Sequence, residues 1–451
     1  MDQLPPEIKG PIIRLAIETL PESENRALYA TVSREWRDHA EPALFETITI
    51  NTRRLSEAHA IMTPTRLSHV RRINLEAFLP EVQNAWTESE ERRTRKKDKA
   101  LFLQLSDTLN HINRWKITYR EVELYLRLRI SEESAYDEPR LINRLPSPVS
   151  LPPETYRELP AVNFVTKFRY YSVDSKTSWL RPKACCEIAS RFPRLRSAEW
   201  DLNDILFPGR VVEARAEFAV AVALIPESVR DIYLDYNHRG HPMCYSKISL
   251  IPTHIPDPLG LALRQLSKQL EKLTLFSAIG SEFFSDSAAD DKTGPDTDED
   301  TPLWRYMREI RITADYKTAQ GIEYFDDIQS LDIIPIHGEI NRLHLASSRA
   351  AARMPNLEHL SIEWGIVKGW AYTRRHEHGA QLVVKNLSGL PRDIEEAWCT
   401  AAGVHLGEGA KLLFGVTFDP REVDDLREQM LSTDGEHNNR PVRSIKWTRT
   451  V

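Results

Sequence analysis

Apolar residues recur along this chain in two rhythms, and the change between them falls near residue 50. Over the first fifty residues they stand three and four apart, the spacing of one face of a helix. In "LPPEIKGPIIRLAIETL" (4–20), Ile8, Ile12 and Leu15 share a face, and Ile13 and Ile17 widen the stripe. The leading prolines suit a first helical turn, where the missing N–H would be unpaired anyway. "ESENRALYATVS" (22–33) places Leu28 and Val32 one turn apart, and Trp36 continues the spacing. The pattern predicts three short helices, the third ending near Glu41 because Pro42 disfavours the helical conformation of its predecessor. So small a unit is marginal alone. A stripe of Leu4, Ile8, Ile12, Leu28, Val32 and Trp36 therefore asks for an external surface. Each apolar side chain fully buried there contributes ~1.5–3 kcal/mol before the costs of association.

Beyond residue 50 a different phrase repeats, with two apolar positions two apart preceded by a third. It reads Leu357, Leu360, Ile362 in "MPNLEHLSIEW" and Leu195, Ala198, Trp200 in "FPRLRSAEWDL". Further copies are Val229, Ile232, Leu234; Leu270, Leu273, Leu275; and Met307, Ile310, Ile312. Weaker ones are Val70, Ile73, Leu75; Tyr119, Val122, Leu124; and Val165, Phe168, Tyr170. Residues two apart share one face of a strand, and the earlier residue packs beneath the turn leading into it. Helical segments precede most copies, as in "RPKACCEIASRFP", "VVEARAEFAVAVALIP", "SSRAAARMP" and "DPLGLALRQLSKQL", the last opening on the Asp257–Pro258 cap and first-turn pair. The expected class is α/β.

The first fifty residues resemble an F-box, the module that binds the small Skp-type adaptor of cullin–RING ubiquitin ligases. The resemblance rests on Leu4, Pro5, Glu7, Ile8, Ile12 and Leu28 and on the "VS-x-x-W" of Val32, Ser33 and Trp36. It implies that Leu4, Pro5, Ile8, Ile12, Leu28, Val32 and Trp36 face the adaptor. "KGP" at 9–11 departs from the family, since a proline there removes a backbone bond; the first helix is expected to kink or to begin at Pro11. The alternative is a plain helical cap with Trp36 in the core.

The unit of helix plus L-x-x-L-x-L strand resembles a leucine-rich repeat, whose strands stack into one parallel sheet. Its copies are spaced more widely than the family's ~20–29 residues, and the family's asparagine ladder is missing. An irregular α/β domain with parallel strands is the alternative. The expected organisation is an F-box over 1–50, a degenerate repeat-like αβ solenoid over 51–371, and a C-terminal αβ cap over 372–451. That cap would consist of strand "AQLVVKNLSGL", helix "PRDIEEAWCTAAGVHL", strand "AKLLFGVTF" and a closing helix "DPREVDDLREQML". The order of these C-terminal segments resembles a region of undetermined activity in filamentous-fungal F-box proteins.

Two segments interrupt the array. "TESEERRTRKKDK" (87–99) reads as an import signal, a nucleic-acid patch or a solvated helix face, and Glu90 and Glu91 favour the last. "SDSAADDKTGPDTDED" (285–300) is almost devoid of apolar residues and is expected to be a disordered loop. Its Asp296-x-Asp298-x-Asp300 is no calcium loop, because Thr301 replaces the glycine and Met307 the bidentate glutamate.

Composition narrows the function classes. With 41% hydrophobic and 28% charged residues the chain can bury a core, and a net charge of −6 argues against a global nucleic-acid or membrane footprint. Four cysteines without C-x-x-C spacing fit a reducing compartment. The longest apolar run, "FAVAVALI", is too short to span a bilayer, and charges break any leader near the start, so a cytoplasmic or nuclear protein is expected. No phosphate-cradling, metalloprotease or nucleophile-elbow motif occurs; His376 and His378 lack a third ligand at metal spacing, and nothing in the sequence activates Cys399. No cofactor and no active site are expected.

With the F-box resemblance, the expected function is that of a substrate-recognition subunit of a Skp–cullin–F-box ligase. Alternation along the strands selects Tyr233, Asp235, Thr274, Phe276, Arg311, Thr313, Ser361 and Glu363 as candidate target contacts, with Glu199 and Asp201 beside them. The alternatives are an F-box adaptor acting outside a ligase, and an enzyme in the C-terminal αβ region.

Overall fold

Strand-forming phrases separated by amphipathic helices favour parallel pairing, because each helix carries the chain back to the same end of the sheet. The computed structural model follows this logic. It describes residues 5–18, 30–80, 89–115, 117, 121–130, 148–172, 180–203, 208–237, 256–285, 303–315, 318, 324, 337–364, 368–375, 379–385, 391–406 and 412–417. The chain is an α/β protein that divides into two units, residues 1–202 with 224–229 and residues 203–223 with 230–451.

The first unit opens with helices α1 (Pro6–Glu18) and α2 (Arg34–Glu46), and α2 passes directly into strand β1 (Thr47–Ile50). Short helices α3 (Leu55–Ile61) and α4 (Pro64–Leu67) lead to β2 (Arg72–Leu79). Then come α5 (Glu90–Asn113), β3 (Val122–Ile130), β4 (Val165–Tyr171), α6 (Pro182–Ala189) and β5 (Ser197–Asn203). Strands β1 to β5 pair in sequence order, all parallel. Their apolar positions align in rows: Ile73 on Leu124 on Phe168 on Ala198, and Leu75 on Leu126 on Tyr170 on Trp200. All eight are buried. On α5, Gln104 donates to the Phe78 carbonyl at 2.6 Å and accepts from the Phe78 N–H at 2.8 Å, extending the bonding of β2.

The second unit holds α7 (Pro208–Val222), β6 (Asp231–Asn237), α8 (Pro258–Ser267), β7 (Lys272–Ser277), β8 (Glu309–Ala314), α9 (His337–Ala352) and β9 (His359–Trp364). Strands β6 to β9 are parallel, with Ile232, Leu273, Ile310 and Leu360 in one row and Leu234, Leu275, Ile312 and Ile362 in the next. Their lead-in residues Leu270, Met307 and Leu357 are fully buried. Strand β10 (Lys368–Arg375) reverses direction against β9 and β11 (Gly379–Lys385), and β12 (Leu412–Thr417) runs parallel to β11, so this sheet is mixed. Helix α10 (Arg392–Leu406) connects β11 to β12 and packs on α9.

Three local expectations change. Helix α1 begins at Pro6, not at Pro11, and continues through Pro11, although Pro11 cannot donate to the carbonyl four residues earlier. Helix α2 likewise continues through Pro42 to Glu46; covering of its inner side by Ile13, packed against Ala40, outweighs the lost bond. In β3 the phrase is shifted by two: Leu124 and Leu126, not Val122 and Leu124, align with Ile73 and Leu75. An apolar run at every second position over 122–128 is self-similar, so only the neighbouring strand sets its register. Most of the second expected helix, the closing helix and most of 285–300 lie outside the described residues. The described part of the 87–99 run forms the start of α5, where Lys97 is buried while Arg95 pairs with Glu91 at 2.6 Å on the surface.

Candidate partner-binding surfaces

The N-terminal module buries little. Ile13 and Ala40, 1% and 0% exposed, form its centre, with Ala30, Trp36, Ala43 and Leu44 packed on them. Ser33 caps α2 by accepting the Trp36 N–H at 3.2 Å. At Gly10 α1 comes close to α2, where a Cβ would make a tight 3.2 Å contact with His39 Cε1, and Lys9 pairs with Glu35 at 3.4 Å.

With Ile13 turned inward, the residues at i, i+4 and i+7 on α1 turn outward. Ile8, Ile12 and Leu15 are 50%, 37% and 62% exposed, and Val32, ahead of α2, is 62% exposed. Of the residues selected from sequence, Pro5, Ile8, Ile12 and Val32 are exposed, Trp36 is half-buried, and Leu4 and Leu28 lie outside the described residues. Leu15 was absent from the selected contacts, yet it is among the most open apolar side chains here; its i+7 spacing from Ile8 was the available signal.

A second surface lies on the solvent side of the sheet in the second unit. Register places Tyr233, Thr274, Arg311 and Ser361 in one row and Asp235, Phe276, Thr313 and Glu363 in the next. Alternation thus brings all eight selected side chains onto one face. Asp235 and Ser361, at 8% and 7% exposure, are buried and leave that surface to the other six. The Tyr233 and Phe276 rings stand 5.5 Å apart. Glu309 collects the charge of two neighbours, Arg311 Nε at 2.5 Å and Lys272 Nζ at 3.5 Å. His359 Nδ1 lies 3.1 Å from Thr373 Oγ1, and burial, helped by Arg311, holds its imidazole below the usual histidine range.

The corresponding face of the first unit is paired within itself. Arg169 bridges Glu123 at 3.0 Å and Glu199 at 2.7 Å, Arg72 reaches Glu123 at 2.8 Å, and Lys167 reaches Glu199 at 2.9 Å. The Tyr171 hydroxyl also donates to Glu199. Glu199, expected beside the target contacts, is therefore a member of an ion-pair ladder.

Several nucleophilic and titratable groups among the described residues are buried or bonded within the fold. Burial pushes the Cys185 and Cys186 thiols well above their usual range, and Cys399 is raised too. His405 Nε2 donates to the Ala351 and Met354 carbonyls at 3.1 and 3.0 Å, which leaves Nδ1 to accept the Tyr372 hydroxyl at 2.6 Å; it ties α10 to the end of α9. Among the described residues no three His, Cys, Asp or Glu side chains are placed to hold a metal, and His376 and His378 lie outside them. No helix among these residues is long and apolar enough to cross a membrane. No family model matches the chain, and no curated protein matches it.

Proposed function

We propose that this chain is the substrate-recognition subunit of a Skp–cullin–F-box ubiquitin ligase. In this reading residues 1–50 form an F-box, the parallel strand-and-helix units form a degenerate leucine-rich-repeat-like solenoid, and the C-terminal αβ segment caps it. One observation carries the reading: Ile8, Ile12, Leu15 and Val32 are exposed in the segment that resembles an adaptor-binding module, while Ile13 alone of the α1 isoleucines with a described side chain is buried. A self-contained helical cap would bury that ridge under its own chain, because isolated water-facing aliphatic clusters carry an unfavourable transfer free energy. The residues left on the second unit's sheet face, with Arg311 exposed and the half-buried Tyr233–Phe276 pair beside it, would hold the target. Ubiquitin transfer would take place on the conjugating enzyme, accelerated because the bound target lysine is kept at high effective concentration.

The test is co-purification with a Skp-type adaptor. Wild type should retain the adaptor, and Ile12→Asp, Leu15→Asp and Val32→Asp should lose it while unfolding at the wild-type temperature. Retention by all three variants, or no adaptor on the wild type, overturns the reading. Adaptor binding without recruitment of a cullin would place the protein outside a ligase.

A further inference from the structure

Helix α2 joins β1 with no intervening linker, and that junction has one side-chain tie that spans three elements. Arg66, on α4, directs both Nε and Nη2 to Glu41 Oε1 of α2, at 3.2 and 2.7 Å. Its Nη1 donates to the Ile61 carbonyl at the end of α3, at 2.8 Å. Its guanidinium lies over the Phe45 ring at 4.8 Å. Glu41 and Phe45 are four apart and so stand on one side of α2. The fork is held over two successive turns of that helix and over the α3–α4 corner at once. The main chain adds a bond at the junction itself, from the Arg71 N–H to the Glu46 carbonyl at 2.8 Å.

We infer that Arg66 is a positioning residue that fixes the angle at which α2, and with it the exposed ridge of α1, is presented by the first unit's sheet. A planar guanidinium can occupy a carboxylate, a carbonyl and an aromatic face together, which an ammonium cannot. Its partners are shielded, with the Arg66 and Glu41 side chains 29% and 16% exposed, so the pair is less screened than one on open surface. The strand that α2 runs into and the Arg71–Glu46 bond both hold it at its last turn, where a rod can pivot. Arg66 supplies a second point of attachment one turn further along. The inference rests on the proposed docking role only for the identity of what α1 presents itself to.

The experiment measures spin–spin distances in the full chain carrying Cys244→Ser and Cys399→Ser. One label pair joins α2 to α5 (Asp38→Cys with Asn113→Cys), and a control pair stays within the sheet unit (Arg194→Cys with Asn113→Cys). Arg66→Ala should broaden the first distribution at least twofold and leave the control unchanged. Arg66→Lys should fall between, and the swap Arg66→Glu/Glu41→Arg, which keeps the ion pair but loses the Ile61 and Phe45 contacts, should narrow the distribution only part of the way. Adaptor affinity of Arg66→Ala should stay within about twofold of wild type. An unchanged first distribution in Arg66→Ala overturns the inference, as does equal broadening of the control. If no variant and no wild type binds the adaptor, the docking reading fails while the distances still decide the role of Arg66.

Discussion

Arg215 on α7 and Asp257 at the start of α8 form a fully buried ion pair, Nε to Oδ1 at 2.9 Å and Nη2 to Oδ2 at 2.5 Å. The same carboxylate caps α8 by accepting the Leu259 and Gly260 N–H groups at 3.1 and 2.9 Å. The Arg215 Nη2 also donates to the Ala278 carbonyl at 2.8 Å. One acid thus closes a helix end and neutralises a buried cation. Asp257→Ala should cost about 3–5 kcal/mol, because it removes the carboxylate bonded to a fully buried guanidinium. Asp257→Asn, which can still cap α8, should cost less. Urea unfolding of the three proteins measures the difference.

The α1 stripe makes opposite predictions for adjacent residues. Ile13→Ala removes a side chain that is 1% exposed and should destabilise the N-terminal module by about 2–4 kcal/mol. Ile12→Ala and Leu15→Ala alter exposed positions and should fall within about 0.5 kcal/mol of wild type. Hydrogen exchange along α1 and α2 reports on the module directly.

Gly369 adopts φ +146°, and a Cβ there would lie 2.3 Å from the Ile362 carbonyl oxygen. It sits where β10 turns back onto β9, opposite Glu363. Gly369→Ala combines a disfavoured backbone with a clash against main chain, and should cost at least about 2–3 kcal/mol. Thermal unfolding checks it; a loss below about 1 kcal/mol would show that the hairpin relaxes.

His344 is buried on α9 with its Nδ1 accepting the Trp398 indole N–H at 3.4 Å and its ring against Trp370. Burial holds its pKa down at about 3. The unfolded chain therefore binds a proton that the native one does not between the ordinary histidine pKa and about 3. The contribution is complete above the ordinary value and is lost as pH falls, with a slope approaching about 1.4 kcal/mol per pH unit. His344→Gln should flatten the acid limb of the stability profile between pH 6 and 4 by about one proton, whatever its effect at neutrality.

Asp98 on α5 has the reverse sign. Burial raises its pKa to about 6, against the pull of the Ser150 N–H, which it accepts at 2.8 Å, and of Arg181 and Lys97. The native state holds the proton more tightly, so stability is highest below the ordinary aspartate range and falls as pH rises through about 6. Asp98→Asn keeps an acceptor for Ser150 without the charge. Its partial solvent exposure limits the gain to about 1 kcal/mol at pH 8, vanishing near pH 4. Denaturation at the two pH values tests both sign and size.

The repeated phrase was legible because a strand's period of two and a buried lead-in residue leave a mark in any local window. Leu273 and Leu275 align with Ile310 and Ile312 in the structure as their spacing implies. The β3 phrase misled because Val122, Leu124, Leu126 and Leu128 offer two equivalent frames, and only β2 distinguishes them. The candidate target face was legible to the same extent. Alternation assigned the side of the sheet, while the burial of Asp235 and Ser361 could not be read from a strand considered alone.

Sequence by itself determined the repeated strand phrases, the helices that lead into them and which side of each is apolar, since these follow from local spacing and backbone sterics, but it did not mark β1, α3, α4 or β10. Tertiary structure decided the rest: the inward turn of Ile13 that leaves Ile8, Ile12 and Leu15 outside, the pairing of Arg215 with Asp257 across 42 positions, and the reach of Arg66 to Glu41. These depend on which surfaces meet when several apolar stripes compete for the same core. That outcome is a property of the packed assembly of elements, and no single window of residues contains it.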